Sequence, residues 1–357
     1  MLRFQYHFEP RTGWMNDPNG LIFFKGKYHA FYQHYPHAAH WGQMHWGHAV
    51  SEDLIHWDEL PIVLYPDMPY ENDGGCFSGS AIEKDGRLYL FYTSVSHELG
   101  QTQSVAWSDD GVHFRKSEGN PVIRENPLGS ADFRDPKVTF MDGTYYMVVG
   151  SGDGDSGKVL LYTSVDLLHW EYMGVLFEGT QYAHCIECPD FFKIGERYVL
   201  MFSKINEKER STIFAVGDLV DGKLVNYTIS RPEWGPDFYA PQTFEAQSRR
   251  IMIGWMYHWG KEAPKDCPFA GALSIPRALR LEGDQIFNFP VEEARSLLRQ
   301  NSAYVRREGE TLFFSDRAGM TIRREIPGLE TVDILEDTKS VEVFVNGGEA
   351  SFSWWLE

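Results

Sequence analysis

The chain repeats itself. Residues 51–57 read Ser-Glu-Asp-Leu-Ile-His-Trp, residues 108–114 Ser-Asp-Asp-Gly-Val-His-Phe and residues 164–170 Ser-Val-Asp-Leu-Leu-His-Trp, spaced 57 and 56 positions apart. A second series keeps nearly the same period. Gly26, Gly86, Gly143 and Gly195 each precede a tyrosine by two or three residues, and an apolar stretch follows each. In such a pattern the glycine supplies a turn and the aromatic run supplies the returning strand of a hairpin. A unit of this length holds about four short strands, the size of a propeller blade. A less regular fifth unit fits residues 238–245 leading into 251–255. The expected fold is therefore all-β, a five-bladed β-propeller over residues 1–285. A β-sandwich with fortuitous spacing is the alternative, and two motif series on one period weigh against it.

Composition enters where strands must be told from helices. Aromatics make up 15% of the chain, with 33 Gly and 18 Pro, which suits short strands and tight turns. One stretch, 290–299, has Val291, Ala294, Leu297 and Leu298 at helical spacing after Pro290. Residues 286–300 are accordingly read as a helical linker and 301–357 as a truncated, β-sandwich-like C-terminal module. Its strands fall near 311–314, 320–322, 341–345 and 350–355, with Asn346-Gly347 as a hairpin turn. Half a sandwich leaves open strand edges. Phe352, Trp354 and Trp355 then need cover, either from the fifth blade or from a second copy in a homodimer.

The formal charge of −18 repels phosphate backbones and anionic lipid surfaces, so neither nucleic acid nor membrane is an expected partner. No apolar run approaches the ~20 residues of a membrane span. The first ten residues lack the apolar core of a signal peptide. Four cysteines do not make a disulfide framework. These features give the expectation of a cytoplasmic protein.

Eight or nine residues before each turn glycine stand Asp17, Ser78, Asp135 and Glu187. In blades these would be nearly equivalent places early in the inner strand, so three carboxylates and a hydroxyl converge on one axis. Crowded acids oppose joint ionisation, a cost that function more often explains than structure does. A nearby proline stiffens each acid's backbone, and Arg134 could keep Asp135 ionised. Two chemistries use such a cluster: a hard cation site, or glycoside cleavage by a carboxylate pair. The aromatics Trp14, Trp41, Trp46, Phe77, Tyr239, Trp255 and Trp259, with the amides Asn16, Gln33 and Gln242, favour a sugar. Cys185 and Cys188, the run 153–155, and the histidines His34, His37, His40, His45 and His48 are read as structural, so neither metal nor cofactor is expected.

Five motifs carry a resemblance: residues 14–20 (Trp-Met-Asn-Asp-Pro-Asn-Gly), 77–80 (Phe-Ser-Gly-Ser), 133–136 (Phe-Arg-Asp-Pro), 187–190 (Glu-Cys-Pro-Asp) and 237–242 (Asp-Phe-Tyr-Ala-Pro-Gln). Through them the chain resembles glycoside hydrolase family 32, the β-fructofuranosidases. The resemblance implies a five-bladed propeller and retaining release of terminal β-D-fructofuranosyl groups from sucrose or short fructo-oligosaccharides. It also implies Asp17 as nucleophile, Glu187 as general acid/base and Asp135 as transition-state stabiliser. Asn16, Gln33, Trp41, Phe77, Ser78, Arg134 and Trp255 match positions that hold the fructosyl ring, and Tyr239 joins the substrate-binding set. Family members usually carry a complete C-terminal sandwich, and this chain departs from that pattern. A fructosyltransferase using the same carboxylates and a non-catalytic carbohydrate-binding propeller remain as alternatives.

Overall fold

Pairs of consecutive left-handed residues set the hairpins. Lys25-Gly26, Asp85-Gly86 and Asp142-Gly143 have φ of 50° and 81°, 55° and 79°, and 51° and 80°. Two such residues make the turn whose twist matches that of paired strands. The computed structural model describes residues 3–182, 184–205, 210–257, 259 and 267–356. Among them, helix is confined to short 3-10 segments and strands dominate.

Five antiparallel sheets of four or five strands follow one another along the chain. Their inner strands are Gly13–Phe24, Gly75–Lys84, Phe133–Met141, Ile186–Ile194 and Tyr239–Ala246. Each inner strand contacts those of the two flanking sheets, so the five close into a ring. A late strand, Phe269–Ala270, pairs in parallel with the first inner strand through Gly13 and Trp14 and seals the seam.

The repeated Ser-x-Asp-x-x-His segment is the link between third and fourth strands of the first three sheets. In the first, Ser51 Oγ accepts the amides of Asp53 and Leu54, and Asp53 Oδ1 accepts those of Ile55 and His56. Asp53 Oδ2 lies 2.6 Å from His56 Nδ1. Ser108, Asp110 and His113, and Ser164, Asp166 and His169, repeat the pattern. The repeat is thus a self-capping turn. The fourth sheet replaces it with the left-handed pair Asp221-Gly222.

The linker reading needs correction. Residues 286–290 lie in a strand, Gln285–Pro290, which pairs with Arg277–Glu282 to finish the fifth sheet. Helical geometry is limited to the 3-10 segment Glu292–Leu297, where Ala294 is buried. The alternating burial of Ile286, Asn288 and Pro290 is that of a strand on a core.

After it come two three-stranded sheets, one from Val305–Glu308 to Thr321–Glu325 and one from Val332–Glu336 to Ala350–Trp355. They share a core of Leu312, Phe314, Ile334, Val343, Phe352 and Trp354. Trp355 packs edge-on against Phe4 and Tyr257. One chain therefore covers the terminal aromatics without a second copy.

A buried polar network fastens this last sheet to the ring. His7 bridges Asp337 (2.8 Å) and Glu342 (2.7 Å). Glu342 also pairs with Arg277, whose guanidinium reaches Glu233 at 2.6 Å and Ser353 at 2.7 Å. Burial alone would lower the His7 pKa, but hydrogen bonds to the two carboxylates and their charge raise it to about 9. Burial would likewise raise Glu342, yet the Arg277 charge and His7 hold it down at about 2.

A stability prediction follows from these shifts. A histidine raised from 6.5 to about 9 contributes stability fully below pH 6.5 and loses it as pH rises through 9, of order 3 kcal/mol. His7→Gln removes the cation shared by two buried carboxylates and should cost about 3–5 kcal/mol near neutrality. Denaturant unfolding from pH 6 to 9.5 should show the wild-type advantage shrinking as pH rises. Two curves that stay parallel across that range would sink the assignment.

Candidate active site

Each inner strand slips against its neighbour near its start. The pairing breaks between Met15 and Pro18, Cys76 and Gly79, Arg134 and Lys137, Glu187 and Asp190, and Tyr239 and Gln242. Each break inserts one extra residue, a β-bulge, which re-aims neighbouring side chains. In three sheets the residue before the bulge proline is left-handed: Asp135 (φ 65°), Cys188 (47°) and Ala240 (48°).

Aligned on the bulge, the expected equivalence of the four site residues does not hold. Asp17 and Ser78 share one position, Asp135 sits one place earlier, and Glu187 two places earlier. Glu187 is instead the counterpart of Arg134 and Tyr239. Counting back from the turn glycine misplaced them because the stretch from bulge to turn shortens from sheet to sheet, from Pro18–Gly26 through Gly79–Gly86 and Lys137–Gly143 to Asp190–Gly195, and a second irregularity, between Asn19 and Ile22, lengthens the first.

At these strand starts lies a cavity of about 430 Å³. Asn16, Asp17, Gln33, Trp41, Phe77, Ser78, Arg134, Asp135 and Glu187 line it. Asp17 is fixed from two sides: Asn16 Nδ2 donates to Oδ1 at 3.0 Å and Ser78 Oγ to Oδ2 at 2.6 Å. Trp14 Nε1 donates to Asn16 Oδ1 and so orients that amide. The three bulge counterparts touch in a row. Arg134 Nη2 donates to Glu187 Oε1 at 3.1 Å, and Tyr239 OH to Glu187 Oε2 at 2.6 Å. Arg134 also binds Asp132. It does not hydrogen-bond Asp135, the acid it was expected to hold. The Cys188 backbone N–H does, at 2.8 Å. The Cys188 thiol lies 3.5 Å from Asp135 and 3.6 Å from Asp17, between the two acids.

Two expected sugar-binding residues are not in the wall. Tyr239 and Trp255 are buried. Tyr239 reaches the site through its hydroxyl alone. Trp255 packs edge-on against Trp14 and Trp259 and backs them from behind. Trp41 is 45% exposed and meets Phe77 edge-on. Gln101, Asp132, Arg210 and Trp259 complete the wall. Of these only Trp259 stood out in the sequence, as an aromatic near the motifs. Arg210 lies 5.3 Å from the ring of Tyr239 and 5.6 Å from that of Trp259. The clustered histidines make local bonds: His34 with the Trp14 carbonyl, His45 with that of Gln43, and His48 with His29.

Burial raises the Asp17 carboxyl, and the Glu187 charge adds to it, against hydrogen bonds from Ser78 and Asn16. Asp135 is raised to about 7, first by burial and then by Glu187 and Asp17, although the Arg134 charge and the Cys188 amide pull it down. Burial lifts the Tyr239 hydroxyl well above its usual range, so it stays a donor. Such a set titrates as a coupled group.

A family model described as "Glycosyl hydrolases family 32 N-terminal domain" matches residues 7–290. The sucrose-6-phosphate hydrolase of Escherichia coli is 40% identical over 84% of this chain and 66% of its own length. The chain thus spans about two thirds of that relative. The raffinose invertase of Escherichia coli is 36% identical over 98% of this chain and 88% of its own. Among solved structures, a Bombyx mori GH32 beta-fructofuranosidase superposes with a TM-score of 0.86 at 31% identity, covering 99% of this chain and 89% of that one. An exo-inulinase from Aspergillus awamori gives 0.80 at 26%, covering 99% and 92%.

Carboxyl titration by carbon-13 NMR of the unliganded protein checks the electrostatics. One aspartate should titrate near pH 7, vanish in Asp135→Asn and move down in Glu187→Gln, which removes a neighbouring negative charge. If every aspartate titrates near the ordinary ~3.9, the site is not arranged as described.

Proposed function

Because the chain belongs to glycosyl hydrolase family 32, we propose that it is a retaining β-fructofuranosidase releasing terminal β-D-fructofuranosyl groups from sucrose or short fructo-oligosaccharides. On this reading the five sheets are the blades of a propeller, and the two three-stranded sheets form a shortened sandwich. The observation that carries it is the convergence of Asp17, Asp135 and Glu187 on one cavity, each carboxyl gripped by different donors.

Each grip suits a different task. Asp17 is held by neutral donors only and keeps its nucleophilicity. It attacks the anomeric carbon and forms a covalent fructosyl-enzyme. Glu187 first gives a proton to the departing oxygen and then, as a carboxylate, takes one from the attacking water. Arg134 and Tyr239 fix its orientation through both steps. Asp135 binds fructosyl hydroxyls and faces the positive charge that develops in the oxocarbenium-like transition state. Asn16, Gln33, Phe77 and Trp41 shape the pocket around the ring. Trp255 acts by supporting Trp14, which orients Asn16.

A second reading concerns the leaving group. Arg210 stands beside Tyr239, the residue that holds the acid, and so on the side where the leaving sugar departs. A guanidinium there suits a phosphorylated leaving sugar. The Escherichia coli relative bears the name sucrose-6-phosphate hydrolase.

Three variants test these readings. Asp17→Asn should lose several orders of magnitude in kcat on every substrate. Glu187→Ala should lose ~10²–10⁴ on sucrose and far less on an aryl fructoside, whose leaving group needs no proton. Equal losses on both substrates remove Glu187 from the acid role. For the leaving group, Arg210→Gln should lower kcat/KM for sucrose 6-phosphate at least tenfold relative to sucrose. An unchanged ratio leaves Arg210 without that part.

A further inference from the structure

The inner strands begin at the acids and end at the hairpin turns, roughly 20 Å away along the ring axis. At that far end, between the fourth and fifth sheets, lies a second cavity of about 460 Å³. Its walls come from the end of one inner strand (Lys193), from the turn that ends the next (Glu245, Arg249, Arg250), and from Arg280 and Arg295. Five cations and one carboxylate thus face one space in a chain of charge −18.

Arg250 is the informative one. Its side chain is 12% exposed and lies against the ring of Phe192. Its carboxylate contact is Glu245, which is two-thirds exposed and 3.4 Å away. The buried Nε has no hydrogen-bond partner among the described residues. A buried guanidinium normally has its donors satisfied, and a lone surface carboxylate returns little of the lost hydration. Deeper in the ring, buried Lys137 stands 3.3 Å from buried Asp190. Lys137 and Arg250 both face that one buried acid, and the other carboxylate near Arg250, Glu245, stands at the surface.

The remaining four cations each have a carboxylate partner outside the cavity lining. Lys193 meets Asp142, Arg249 meets Glu293, Arg280 meets Glu282 and Arg295 meets Glu292. The Arg280 and Arg295 pairs are half-exposed or more, hold weakly and can turn their donors into the cavity, whereas Lys193 and Arg249 are mostly buried and grip both oxygens of their carboxylates.

We infer that this cavity binds a small, multiply charged phosphate-bearing anion. Arginine forks match phosphate oxygens two at a time, and the unfilled Nε of Arg250 supplies a donor at the floor. The space exceeds one phosphate, so it fits a diphosphate or a phosphorylated small molecule. The site is separate from the acids and does not depend on the reaction proposed for them.

Inorganic pyrophosphate titrated calorimetrically into the full chain at low salt tests this. A Kd of order 0.1 mM or tighter is expected, weakening steeply with added salt. Arg280→Gln with Arg295→Gln changes two half-exposed side chains and leaves the fold intact, so it should cost at least tenfold in affinity. Arg250→Met, once shown to unfold cooperatively, should abolish binding. Saturating fructose should leave the affinity unchanged. No heat up to 10 mM pyrophosphate, an unaltered affinity in the double variant, or competition by fructose would each overturn the site.

Discussion

Every inner strand of the ring carries one extra residue at the same register, and the site exists because of it. A regular strand turns alternate side chains to opposite faces, so neighbours in sequence cannot both face the axis. The bulge breaks that rule, letting Arg134 and Asp135 both line one cavity. Left-handed backbone at Asp135, Cys188 and Ala240 is the cost, about 1–3 kcal/mol each. The ring holds these residues in place because each is buried and its strand is packed on both sides. The strain also has a use, since the turn at Cys188 aims its amide at Asp135.

Much of this was legible in the sequence, for a physical reason. Turns are local, so the Ser-x-Asp-x-x-His box and the glycine hairpins mark the period directly. Asp17, Asp135 and Glu187 stand out because acids brought near one axis are expensive, although the bulges put them at three different repeat positions. The rest depends on contacts that no local pattern encodes. The fifth hairpin hides because Gln247 and Ser248 adopt left-handed geometry without a glycine. Arg210, Asp132 and Gln101 reach the cavity from loops and outer strands, where nothing spaces them against the motifs. Tyr239 and Trp255 sit on a motif yet lie behind the wall, because burial is decided by the neighbouring sheets. His7 meets partners more than three hundred positions away.

Charge shows the same division between sum and placement. The acidic total argues against nucleic-acid and lipid partners, yet it does not describe either mouth of the ring. One mouth crowds carboxyls until their ionisation is opposed. The other gathers arginines. Local fields follow such placement rather than the net charge.

The seam between Gly13 and Phe269 has a consequence for biosynthesis. The first inner strand is made early, but the strand that seals it emerges some 250 residues later. At about 5–20 residues per second, that leaves its edge open for tens of seconds. The partners of His7 arrive later still. An unpaired edge invites wrong strands, so the nascent chain is most vulnerable on the ribosome, when four sheets are complete and the ring has not yet closed.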